Sequence, residues 1–331
     1  MNSLSRYLGT SFVLYLPFLS VLSIIVHSPA HAQNFPPGNV NVITLGSERG
    51  MTASLSRELL RSLPRPGRTS FTLSHHRPRQ FQQMLRAVSI AGRDATLAIA
   101  GRTKLAGARR IVVVAFAPVC LWASSQGAID RVGTWISRAR QVPQQLKLSG
   151  AGKIDSSLHR QLDRSFSTQT KFIPFKGRRA ALNALLAGDV DMAAGYASKR
   201  TVALSQSGQI RAIACLAQRR HRALPSVPTL SEEGTNLIVG RLFSVFGPAA
   251  MSAQARRAYA SMVQSAANGK QLRAFMQANM LVPLFRTGSL HPDSDDDDCE
   301  DDASDDDDDD DDECDPTMPS PDQLVPDFLF R

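Results

Sequence analysis

Between residues 40 and 280 the chain alternates short β-branched apolar runs with segments of helical periodicity, and that alternation restricts the fold more than any other feature. "VNVITL" reads as a strand, "GSERGMT" as a Gly-bounded loop, and "ASLSRELLRSL" as a helix halted by Pro64 and Pro66. "TSFTLSH" is a second strand, "RQFQQMLRAVSIAG" a second helix, and "ATLAIAG" and "RIVVVAFAPVCLWAS" are further strand-like runs. "IDRVGTWISRARQ" is helical and "LKLSG" a short strand. The second half repeats the grammar without repeating the sequence: a helix begins near Ser156, strand "TKFIPF" follows, then a helix from Arg178 to Ala187, strand "VDMAAGY", helix "RTVALSQSG" and strand "IRAIACLA". After a Pro-punctuated stretch, "LFSVFGPAA" turns from strand into the helix "AQARRAYASMVQSAANG", and a last helix runs to about Met280. The expected class is α/β with mostly parallel sheets. No short-period repeat is visible, which disfavours a solenoid.

The ends differ from this body. Arg6, an apolar run from Tyr7 to Val26 and the small-x-small site Ala30-His31-Ala32 predict a signal peptide over residues 1–32, cleaved after Ala32. The run also approaches membrane-spanning length, so an uncleaved anchor is the alternative; Pro17 and the cleavage site favour removal. Export to the periplasm is the expectation. At the other end, residues 293–315 hold 18 Asp/Glu in 23 positions, whereas residues 33–292 hold 36 Lys/Arg against 10 Asp/Glu, a balance of +26. Like charges at that density repel and bury nothing, so residues 291–331 are expected to be an acidic disordered tail. It serves as a solvated appendage, a mask for the basic body or a weak trap for divalent cations.

Cysteine and charge exclude several classes. Cys120 and Cys215 lie in apolar runs and read as buried thiols, while Cys299 and Cys314 flank the poly-Asp segment and could pair in an oxidising compartment. No Cys/His spacing suits zinc, so no metal is expected. G-x-S-x-G, HExxH and the P-loop are absent, so no catalytic residues and no enzyme activity are expected, and no cofactor. A charge excess without interleaved aromatics gives only salt-sensitive attraction, and export removes nucleic acid as a partner.

"KFIPFKGRRAALNALLAGDVDMAAGYAS", "SGQIRAIACLAQRRHRALPSVPTLSEEG" and "LFSVFGPAAMSAQARRAY" resemble, in order, the signature blocks of the Bug family, the substrate-binding proteins of tripartite tricarboxylate transporters. "SGAGKIDSSLH" resembles that family's Ser-Ala-Gly-x-Gly-Ser-x-x-His segment, and "VITLGSERGMTASLSRELL" sits where the family has strand, Gly-rich loop and helix. The resemblance covers roughly residues 40–285. It implies a two-lobed type II periplasmic-binding-protein fold, each lobe a sheet flanked by helices, with a small carboxylate clamped between. Lobe 1 is expected over 33–122 and 246–290, lobe 2 over 123–245, with crossovers near Cys120–Ser124 and Leu242–Gly247. The implied partners are a small anionic ligand and the cognate transporter subunits, with the receptor a monomer.

Ligands of such sheets sit beyond the carboxyl ends of strands, where helix N-termini attract anions. Three loops qualify. The first supplies Ser47, Gly50 and Thr52; the second Gly152, Asp155, Ser156 and Ser157; the third Lys176 and Gly177. Thr52, Ser156 and Ser157 read equally as ordinary helix caps. Lys176 reads as a ligand-facing charge against a solvated loop lysine, and His159 and Asp191 as structural groups. Departures from the family fall in these loops: Ser47-Glu48-Arg49-Gly50 replaces Pro-Pro-Gly-Gly, Ala53 replaces Asp, and the second Gly of the Gly-x-Gly-Ser turn is replaced within Lys153-Ile154-Asp155. The alternative reading is therefore an interaction or sensor protein on the same fold, with loops that no longer hold a small ligand.

Overall fold

The computed structural model describes residues 38–287, apart from 66–68, 78–79, 81–82, 84–89 and 103. The expected leader, the acidic tail with Cys299 and Cys314, and most of the expected helix over residues 79–92 lie outside the described residues.

The described elements run β1 (Asn39–Leu45), α1 (Met51–Ser62), β2 (Ser70–His76), α2 (Ile90–Arg93), β3 (Thr96–Ala100) and β4 (Ala108–Ser124). There follow α3 (Val132–Gln141), β5 (Lys147–Ala151), α4 (Gly152–Phe166), β6 (Lys171–Phe175), α5 (Arg178–Ala187), β7 (Met192–Tyr196), α6 (Lys199–Gln206) and β8 (Ile210–Cys215). The chain ends its described course with β9 (Gly240–Pro248), α7 (Ala253–Ala266), α8 (Lys270–Ala278) and β10 (Val282–Thr287).

The strands lie in the order β2-β1-β3-β9-β4-β7-β5-β6, with β8 and β10 also paired to β4. Outer strands are parallel, β1 to β2 and β3 and β5 to β6 and β7. Strand β4 is antiparallel to all its partners, so the sheet is mixed. This strand joins the two lobes. Its pairing with β9 ends at Pro118↔Gly240, and its pairing with β7 begins at Val119↔Tyr196. Pro118 has no N–H to donate, so it is tolerated where the ladder changes partners.

Side-chain alternation along β4 builds the cores. Val119, Leu121 and Ala123 face the cluster formed with α3 and α4, while Cys120 and Trp122 face the opposite cluster with α5 and α6. In the other lobe Val112 and Val114 point into the main core, yet so do Ala115 and Ala117. The parity flips because the register shifts between Val113 and Ala115, and an extra residue reverses the face of everything after it. Val113 and Phe116 consequently join a separate cluster with Ala217 and Ile238.

Two sequence expectations change here. Cys120 and Cys215 are buried as expected but are joined in a disulfide, not free thiols. The reason is register: Cys120 lies directly opposite Cys215 in the β4–β8 ladder, a neighbourhood that residues 95 apart do not disclose in sequence. Strand β10 is not among the sequence expectations, because Pro283 interrupts its pattern; β4 holds it across a register shift, with Phe285 at φ 48°.

Candidate ligand cleft

Helix N-termini at the carboxyl ends of strands are where the described residues gather chemistry. In the first lobe β1 leads through Gly46–Gly50 into α1, where the Gly50 N–H donates to Ser47 O (2.9 Å) and tightens the turn. Ser47 is exposed, Gly50 half-buried and Thr52 buried in the first turn of α1. No side chain caps this helix, so the cap reading of Thr52 does not describe its position. The Arg57 guanidinium reaches back to Glu48 O (3.4 Å) across the loop.

In the second lobe α4 begins at Gly152, one turn before the start near Ser156 expected from sequence. Its N-cap is Ala151, whose side chain cannot cap, so Ser156 and Ser157 lie within the helix, half-buried, and are not caps. Gly152 has φ +73°, which turns the chain out of β5. The signal that hid this start is the substitution of the family's glycine turn by Lys153-Ile154-Asp155, which reads as ordinary helix sequence.

Asp155 is fully buried. Its Oδ2 accepts the Ala151 N–H at 2.6 Å, and its Oδ1 lies 3.2 Å from Arg178 Nη1. Asp155, expected among the ligand contacts, has its carboxylate turned inward onto the chain's own donors. Space for it comes from Gly150, where an added Cβ would stand 2.5 Å from Asp155 Cβ and 3.0 Å from the Phe172 ring.

The third loop leaves β6 through exposed Lys176 and half-buried Gly177 into α5. Gly177 has φ +80° and ψ 153°, a conformation a side chain would strain, and its carbonyl accepts the Ala180 and Ala181 N–H groups. The first helical residue is Arg178.

Arg178 leads to what sequence reasoning missed. Its guanidinium carbon stands 4.0 Å from the centroid of the Tyr196 ring at the end of β7, and that of Arg241, the second residue of β9, stands 5.2 Å from the same ring. Arg241 also packs against Gly101, just beyond β3 in the first lobe, where an added Cβ would meet its Cδ at 2.8 Å. Tyr196 itself packs against the cores of both lobes. The ring therefore lies against both cores, with the guanidinium groups of Arg178 from α5 and Arg241 from β9 beside it. Arg178 and Tyr196 lie inside quoted sequence blocks, yet nothing in their spacing singles them out from solvated arginine or core tyrosine.

The structural readings of His159 and Asp191 stand. His159 Nε2 is within 3.0 Å of Thr170 O, 2.9 Å of Thr170 Oγ1 and 3.2 Å of Asp163. Asp191 accepts the Lys147 N–H at 2.8 Å and ties β5 to the entry of β7. Among the described residues no group of three or more His, Cys, Asp or Glu is arranged to hold a metal, and no helix is long and apolar enough to cross a membrane.

Residues 103–287, more than half of the chain, match the tripartite tricarboxylate transporter family receptor, TctC. The chain belongs to this receptor family. Solved structures agree on the fold of this TctC-family chain. The periplasmic binding protein BugD is 17% identical, covers 75% of this chain and 89% of its own, and superposes with a TM-score of 0.56. A TctC solute binding protein from Polaromonas, solved without ligand, is 16% identical over 75% of this chain and 91% of its own, with a TM-score of 0.62. MatC from Rhodopseudomonas palustris, solved with bound malate, is 20% identical over 74% and 90%, with a TM-score of 0.53. No curated protein matches the sequence significantly. The family match begins at residue 103, so the loop carrying Ser47, Gly50 and Thr52 is placed by the structure alone.

Proposed function

We propose that this TctC-family receptor is exported, freed of residues 1–32 after Ala32, and acts in the periplasm as a monomeric receptor. It captures a small carboxylate-type metabolite and presents it to a tripartite tricarboxylate-type transporter. Lobe 1 comprises 33–122 and 246–290 and lobe 2 comprises 123–245, with the tail beyond. No chemistry is performed on the ligand and no cofactor takes part. The observation that carries the reading is the convergence of the Arg178 and Arg241 guanidinium groups on Tyr196, a ring that packs against the cores of both lobes. Guanidinium groups gathered beside one ring at these strand ends give the region the planar, donor-rich positive charge that suits a carboxylate. The α1, α4 and α5 N-termini offer N–H groups, so Ser47, Gly50 and Thr52, Gly152, Ser156 and Ser157, and Lys176 and Gly177 are the proposed ligand contacts. MatC, of the same fold, is described with malate, which supports the carboxylate class.

The test is a thermal-shift panel on the purified chain with mono-, di- and tricarboxylates, aromatic acids and amino acids. A saturable rise in Tm for a carboxylate class, weakened by Lys176→Gln or Thr52→Ala, is the expected result. A flat response across the panel from well-folded protein would overturn the carboxylate reading in favour of an interaction or sensor role.

A further inference from the structure

Asp155 is a carboxylate in a place prepared for carboxylates. It lies in the first turn of α4, at the carboxyl end of β5, between β7 and β6 in the sheet. One of its oxygens takes a backbone N–H at 2.6 Å and the other faces a guanidinium at 3.2 Å. A backbone donor at a helix entrance plus a planar cation is the donor set that holds a ligand carboxylate or phosphate. Here the set is complete and the anion inside it is covalently part of the chain. The arrangement is built: Gly150 leaves the room beneath Asp155, and Tyr196 holds Arg178 from its other side at 4.0 Å.

We propose that Asp155 is a resident anion that fills the lobe 2 carboxylate subsite and so makes this receptor select ligands with a single carboxylate. The inference rests on the solute-receptor reading above and deepens it. A ligand with one carboxylate has no second charge to direct to the Arg178 side. A second carboxylate directed to the Arg178 side meets the Asp155 charge and finds the guanidinium already engaged. Like-charge opposition inside a cleft is a device of specificity: it weakens the wrong ligand without strengthening the right one.

The experiment compares butyrate and succinate by isothermal titration on the purified wild-type chain, on Asp155→Asn, and on Asp155→Asn/Arg178→Gln. Asparagine keeps the shape and an oxygen that accepts the Ala151 N–H while removing the charge. Expected is a gain in succinate affinity of at least about tenfold in Asp155→Asn, with butyrate changed by less than about threefold, and loss of the succinate gain in the double variant. Circular dichroism and Tm establish that each variant is folded; if Asp155→Asn does not fold, Asp155→Ser is measured in its place. A succinate affinity unchanged from wild type in a folded charge-removing variant overturns the proposal, as does an equal gain for both ligands. Wild-type binding of either acid with no gain in the variant sinks only this proposal and leaves the receptor reading intact. If wild type binds neither acid, the receptor reading loses support, while the appearance of succinate binding in Asp155→Asn still decides for the resident anion.

Discussion

At the scale of single residues, Gly150 decides whether Asp155 can lie where it does. An alanine there places a methyl group 2.5 Å from Asp155 Cβ and 3.0 Å from the Phe172 ring, closer than carbon atoms approach. Either the aspartate leaves Arg178 or the strand shifts. Gly150→Ala is therefore expected to destabilise the fold by about 1–3 kcal/mol, the usual range for overpacking. Urea unfolding reads this directly, and an unchanged midpoint and slope would mean that the contact relaxes freely. The sequence displayed Gly150 and Asp155 only as neighbours in a glycine-containing loop. What it could not display is that the loop folds the acid back over its own strand.

Among the elements, legibility followed the strength of local signals. Helix α5 was read at both ends, Arg178 and Ala187, because Lys-Gly before it and Gly188 after it act as stops; Gly188 closes it in the left-handed conformation at φ +80°. Helix α4 was read a turn short because its N-cap, Ala151, carries no capping side chain and its true start is a backbone event at Gly152. Strand pairing was beyond local reach. The Cys120–Cys215 disulfide ties β4 to β8 where β4 enters its second set of partners. A double Cys120→Ala/Cys215→Ala variant is expected to lose about 2–4 kcal/mol of stability, chiefly through a freer unfolded chain. Chemical denaturation of oxidised protein against the double variant checks it; equal midpoints would show that the ladder alone sets the stability.

For the whole molecule, His221 links distant parts of the chain. It is buried on the segment after β8, and its Nε2 meets Met280 O at 3.2 Å, just beyond α8. The Ala223 N–H donates to His221 Nδ1 (3.1 Å), so the neutral ring carries its proton on Nε2. Burial lowers its pKa below the ordinary histidine value, partly opposed by the Met280 carbonyl. The unfolded chain therefore takes up this proton first as pH falls. Its contribution to stability is fully present above about pH 6.5 and is lost as pH drops from there toward the depressed folded value. His221→Gln is expected to flatten that part of the stability profile, measured as Tm against pH. An identical slope in wild type and variant would assign the effect to other groups.

By itself the sequence determined the alternation of strands and helices, the receptor family and the loops that open its helices, because periodicity, glycine punctuation and signature blocks are local properties of the chain. Only the tertiary structure decided that Cys120 meets Cys215, that β10 completes a sheet across a bulge, and that Arg178 and Arg241 both approach the Tyr196 ring while Asp155 engages one of them. Those facts depend on register between strands far apart in sequence, and a one-residue change in register turns every side chain to the opposite face.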